Sequence, residues 1–86
     1  MNINELIAIV KNKLKTEIVI QEIKIEDKSF LHKNHKGHQE GKFHLKLIIK
    51  SDDLTKLSKI ESTKKVYSVL EFELKKYIHS IQILLN

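Results

Sequence analysis

Five of the 86 residues are histidine. Four of them follow one another with the spacing His32-x2-His35-x2-His38-x5-His44, and His79 stands apart near the end of the chain. Imidazole is the commonest nitrogen ligand for zinc, copper, nickel and iron, and it needs only an accessible position and a neutral ring. Three imidazoles on one loop suit weak binding of a divalent ion. The spacing matches no structural zinc pattern, since those rest on cysteine or on a helical histidine pair. For His32 and His38 the plainer account is a polar loop that carries surface imidazoles.

Other chemistry finds little to work with. The chain has no cysteine, which removes thiolate metal sites, disulfides and cysteine nucleophiles. There is no glycine-rich phosphate loop. Ser29 is near His32 in sequence but has no identifiable acid partner or oxyanion hole. Glu26-Asp27 and Asp52-Asp53 are adjacent carboxylates, and neighbours on a strand point to opposite faces, so neither implies an acid pair. The expectation is a binding protein rather than an enzyme.

The elements that must position these histidines can be read from periodicity. Ile3, Leu6, Ile7, Val10 and Leu14 recur at helical spacing, so Asn2 to about Lys15 is expected to be a helix. Asn2 with Glu5 resembles a capping box at its start. About Ile18 to Asp27 alternates Ile23 and Ile25 with Lys24 and Glu26 and is expected to be a strand. Lys42 to Ser51 alternates more clearly: Phe43, Leu45, Leu47 and Ile49 share one face, and His44 falls on the other, polar face. An exposed or hydrogen-bonded ring is the default there.

Lys28 to Gly41 lies between the two strands and holds both glycines, Gly37 and Gly41. It reads as a long hairpin loop, a kind that is usually functional or mobile. After Ser51-Asp52-Asp53 comes a turn and an irregular stretch to about Lys59. Glu61 to Ile78 then reads as a second helix, with Val66, Leu70, Leu74, Tyr77 and Ile78 as its apolar stripe. Ser58 with Glu61, or Ser62 alone, suits its start. Ser80 to Leu85 is expected to be a third strand. His79 would stand at the joint, where the helix dipole favours a cation; taken alone, it reads as a capping or partly buried residue.

The order is helix, strand, strand, helix, strand: an α+β chain in which helices cover one face of a three-stranded mixed sheet. At 86 residues this is one domain spanning 1–86. Apolar residues make up 41% and charged residues 31%, as in ordinary globular proteins, and the regular apolar spacing argues against disorder. No apolar run approaches the roughly 18 to 20 residues of a membrane span, and the N-terminus lacks the pattern of a secretory signal. A cytoplasmic location without membrane association is expected. The net charge of +5 comes entirely from lysine, with no arginine for bidentate contacts to guanine or phosphate. A solvated basic surface explains it more simply than a nucleic-acid footprint.

The stretch Asp27-Lys28-Ser29-Phe30-Leu31-His32-Lys33-Asn34-His35-Lys36-Gly37 resembles the pattern D-x-S-x-x-H-x-G-H-x-G. His44-Leu45-Lys46-Leu47-Ile48-Ile49-Lys50-Ser51 is similar to a T-H-F-x-V-x-I-V-S strand. Val66-Tyr67-x2-Leu70-x3-Leu74 leads into Ile78-His79-Ser80-Ile81, similar to an I-H-A-L ending. These are features of BolA-like proteins, and the resemblance runs through nearly the whole chain.

The resemblance implies an α-β-β-α-β fold similar to a type II KH domain, and a role in iron–sulfur and iron homeostasis or stress response. It implies a heterodimer with a monothiol glutaredoxin that can share a [2Fe–2S] cluster, with no cofactor in the isolated chain. Glutaredoxin and glutathione would supply thiolates. This chain would supply His79 and a loop histidine: His35 by position, with His38 as a second loop candidate. Two departures stand out. Asn34 replaces a glycine, and asparagine tolerates left-handed geometry. The pattern F-x-G-x5-R-H-R is represented by Leu54-Thr55-Lys56 and Ser62-Thr63-Lys64, so its basic triplet is reduced to one lysine. Some members are described as DNA-binding transcriptional regulators. Here that alternative would rest on Lys59, Lys64 and Lys65.

Overall fold

The computed structural model describes residues 1–29 and 42–86. Its elements run α1 (Ile3–Glu17), β1 (Glu22–Asp27), β2 (Phe43–Lys50), α2 (Asp52–Thr55), α3 (Lys59–Val69), α4 (Glu71–Lys76) and β3 (Ile78–Leu85). The strands form one sheet in the order β1-β2-β3. β1 pairs antiparallel with β2, and β2 pairs parallel with β3, so the sheet is mixed. A parallel neighbour needs a crossover, and α2 to α4 provide it. The α+β arrangement expected from periodicity is therefore present.

The first helix starts where the capping box places it. Asn2 Oδ1 accepts from the Glu5 N–H at 2.9 Å, and Asn2 Nδ2 donates to Glu5 Oε1 at 2.8 Å. The two groups satisfy each other and one orphan amide of the first turn. Leu6, Val10 and Leu14 of α1 then bury completely against Leu45, Leu47 and Ile49 of β2. Leu54, Val66, Leu70 and Ile78 complete this core. Burying each such side chain contributes about 1.5–3 kcal/mol.

Register fixes the two faces. Leu45 pairs with Asp27 and Ile81, Leu47 with Ile25 and Ile83, and Ile49 with Ile23 and Leu85. These positions face the helices. Lys46 pairs with Glu26 and Gln82, and Ile48 with Lys24 and Leu84, on the opposite face.

Several boundaries differ from the periodicity reading. β1 begins at Glu22 rather than Ile18, because Ile18 closes α1 by donating its N–H to the Leu14 carbonyl at 2.9 Å. The stretch after β2 contains the short helix α2, whose first turn is capped by Ser51. Ser58, not Ser62, caps α3: its hydroxyl accepts from Glu61 N–H at 3.1 Å and donates to Glu61 Oε1 at 3.0 Å. The expected single helix from Glu61 to Ile78 is two, α3 and α4, separated at Leu70 (φ −99°, ψ 17°). Leu70 is fully buried, and Glu73 one turn later is 3% exposed, with Lys13 Nζ 2.7 Å from its Oε2. The bend thus serves a core contact and an inter-helix ion pair, which a helical stripe does not encode. Helix α4 stops at Lys76 because Tyr77 already accepts the Phe43 N–H, at 2.9 Å.

Candidate functional site

His79 lies one residue inside β3, not at a helix C-terminus. The reason is an irregularity in the parallel pairing. Phe43 is opposite Ile78, but His44 is opposite Ser80, so His79 is the extra residue of a bulge. A bulge breaks the alternation of a strand and re-aims one side chain. Ile78 stays in the core at 1% exposure, Ser80 returns to the open face, and His79 is exposed between them.

The bulge brings two histidines together. The rings of His44 and His79 lie 4.8 Å apart between centroids, tilted by 52°. They differ sharply in access. His44 is 5% exposed, and its Nδ1 is 2.7 Å from Ser80 Oγ. Of the two defaults for His44 on a polar strand face, the hydrogen-bonded ring is found and the exposed ring is not. Strand alternation identifies the face; it does not reveal that a neighbouring bulge covers the ring.

The main chain of His44 is also anchored. Its N–H donates to Ser29 Oγ at 3.1 Å, and its carbonyl accepts from the Lys28 N–H at 2.7 Å. Asp27 Oδ1 accepts from the Ser29 N–H at 2.9 Å, an Asx turn that ends β1. The Asp27-x-Ser29 spacing thus has a structural purpose: the carboxylate makes the turn, and the hydroxyl ties that turn to β2. Ser29 Oγ is an acceptor for the His44 main chain here. Beside the pair, Lys28, Lys46, Ser80 and Gln82 line a shallow groove on the open face.

His35 and His38, the loop candidates, and His32 lie outside the described residues. Among the described residues no group of three or more histidine, aspartate or glutamate side chains is placed to hold a metal ion. Two imidazoles meet here among the described residues, of which His79 is exposed and His44 sealed. Among the described residues this set does not make a complete metal cage.

Lys59, Lys64 and Lys65 are all exposed on α3. Their spacing at about 100° per residue spreads them round the helix rather than along one row. Among the described residues no helix is long and apolar enough to cross a membrane. The sequence reading missed the support that His44 and Ser80 give to His79. The only available signal was the register of β3 on β2, which is not visible in either segment alone.

Comparison with known proteins bears on the whole arrangement. The family model described as BolA-like protein matches residues 14–86. The BolA domain of SufE1 from Arabidopsis thaliana superimposes with a TM-score of 0.78 at 27% identity, covering 100% of this chain and 93% of that one. BolA1 from Arabidopsis thaliana superimposes with a TM-score of 0.74 at 26% identity, covering 92% and 87%. BolA1 from Mus musculus shares the fold at 18% identity, with a TM-score of 0.68 over 90% of this chain and 60% of that one. A search of curated protein sequences gives no significant match.

Proposed function

The chain belongs to the BolA-like family, and from that premise we propose that it is a non-enzymatic partner of a monothiol glutaredoxin, helping to hold, pass or sense a [2Fe–2S] cluster. The observation that supports this reading most is the bulge at His79. It lifts one imidazole out of the sheet and leaves it exposed, while the adjoining His44 is bonded to Ser80 at 2.7 Å. An accessible, laterally supported imidazole is what a shared ligand position requires.

His79 would be one ligand, and His35 or His38 the other from this chain. The chain has no cysteine, so thiolates would come from glutaredoxin and glutathione. Replacing thiolate by imidazole in such a cluster raises its reduction potential and ties ligation to the protonation state of the ring, which suits transfer or sensing. The DNA-binding alternative has no comparable support, since Lys59, Lys64 and Lys65 form no row.

The reading is tested by mixing the protein with a monothiol glutaredoxin, glutathione, iron and sulfide under anaerobic conditions. A one-to-one complex with visible absorption and circular dichroism distinct from glutaredoxin alone is expected. Two proteins that elute separately, with the glutaredoxin spectrum unchanged, would refute it.

A further inference from the structure

The charges on the open face of the sheet do not balance. Glu26 of β1 stands opposite Lys46 of β2, which stands opposite Gln82 of β3. Lys24, two positions along on the same face, has its Nζ 3.6 Å from Glu26, and Lys28, just past the strand, has its Nζ 3.7 Å away. Both separations exceed hydrogen-bond length, so each ammonium keeps its donors for another acceptor. Lys46 has no ion pair among the described residues. One carboxylate is thus set among three ammonium groups. The neighbouring acids do not correct this. Asp27 accepts from the Ser29 N–H, and Glu22 stands opposite Lys50 at the far end of the face.

The excess charge has a shape. Lys28 and Lys46 line the groove together with Ser80, Gln82 and His44, and none of its lining side chains is acidic. Ser80 is small and exposed, which opens the groove between the longer side chains. The ring of His44 also meets the ring of exposed His79, so the groove adjoins that imidazole.

We propose that this groove receives a carboxylate-bearing segment of the partner protein. The inference rests on the partner reading above and deepens it, by naming the face of the sheet that the partner covers. A carboxylate between Lys28 and Lys46 offsets the local excess, and the Gln82 amide and Ser80 hydroxyl offer it neutral donors. The net charge of +5 acts in the same direction, drawing an acidic surface from a distance and weakening as salt rises. Glu26 holds the lysines together and also competes for them. A nucleic-acid strand fits less well, because the face has no phenylalanine, tyrosine or tryptophan for bases to stack on, and Glu26 interrupts any row of phosphate contacts.

The experiment titrates a monothiol glutaredoxin into the full chain by calorimetry at low and high salt, with urea unfolding of each variant as the check on folding. Lys28→Gln with Lys46→Gln is expected to weaken binding about tenfold at low salt and to flatten its salt dependence. Lys11→Gln with Lys15→Gln removes the same charge from exposed positions on α1, across the sheet, and should change binding less than about twofold. Glu26→Gln removes the internal competitor and should tighten binding about threefold, a sign that a loosened fold does not produce. Binding indifferent to the Lys28 and Lys46 changes, or equally sensitive to those at Lys11 and Lys15, would overturn this inference and leave the partner reading standing, as would weaker binding by a folded Glu26→Gln. A wild-type chain that does not bind glutaredoxin would overturn both. A single-stranded oligonucleotide whose binding depends on Lys28 and Lys46, where glutaredoxin binding does not, would overturn it by assigning the face to nucleic acid.

Discussion

His44 and His79 are neighbours in space, with ring centroids 4.8 Å apart, yet the fold treats them oppositely. His44 is 5% exposed, bonded to Ser80 through its ring and to Ser29 through its main chain. His79 is exposed, on the extra residue of the bulge. The same side chain thus serves two ends. Buried and bonded, it fixes a junction of β1, β2 and β3. Exposed beside that junction, it is available to something outside the chain.

This contrast can be pressed by stability measurements, and a buried charge elsewhere sets the upper end of the scale. Lys13→Met leaves the Glu73 carboxylate, whose Oε1 already has no protein partner, without its cation. A loss of about 3 kcal/mol in urea unfolding is expected, largely recovered by Glu73→Leu in the same chain. His44→Ala comes next. It removes a buried ring together with its hydrogen bond to Ser80, for a loss of about 2 kcal/mol. Ser80→Ala removes the same hydrogen bond with less volume and is expected to cost about 1 kcal/mol. His79→Ala should change stability by less than about 0.5 kcal/mol, since the side chain lost is exposed and makes no hydrogen bond among the described residues. If His79→Ala proved as costly as His44→Ala, the division of labour between the two rings would be broken.

Much of this junction was beyond the reach of sequence. The alternation of Phe43, Leu45, Leu47 and Ile49 identifies β2 and its core face, and Asn2 with Glu5 identifies the start of α1, because both signals are local. The split at Leu70 is not local: it answers to the Lys13–Glu73 pair, whose members are sixty residues apart. The burial of His44 depends on how β3 registers against β2, and one extra residue there decides which histidine faces outward. His79 itself was singled out near the helix-to-strand joint, and the fold shifts it one residue into the strand. Its reading as a ligand came from family resemblance; its exposure comes from the bulge.

The most direct measurement compares three chains in one reconstitution. Wild type, His79→Ala and His44→Gln are each mixed with a monothiol glutaredoxin, glutathione, iron and sulfide, and the visible circular dichroism is recorded. The account predicts a distinct spectrum for wild type, its loss in a still-folded His79→Ala, and a spectrum perturbed but present in His44→Gln. A wild-type spectrum that survives His79→Ala unchanged would contradict it.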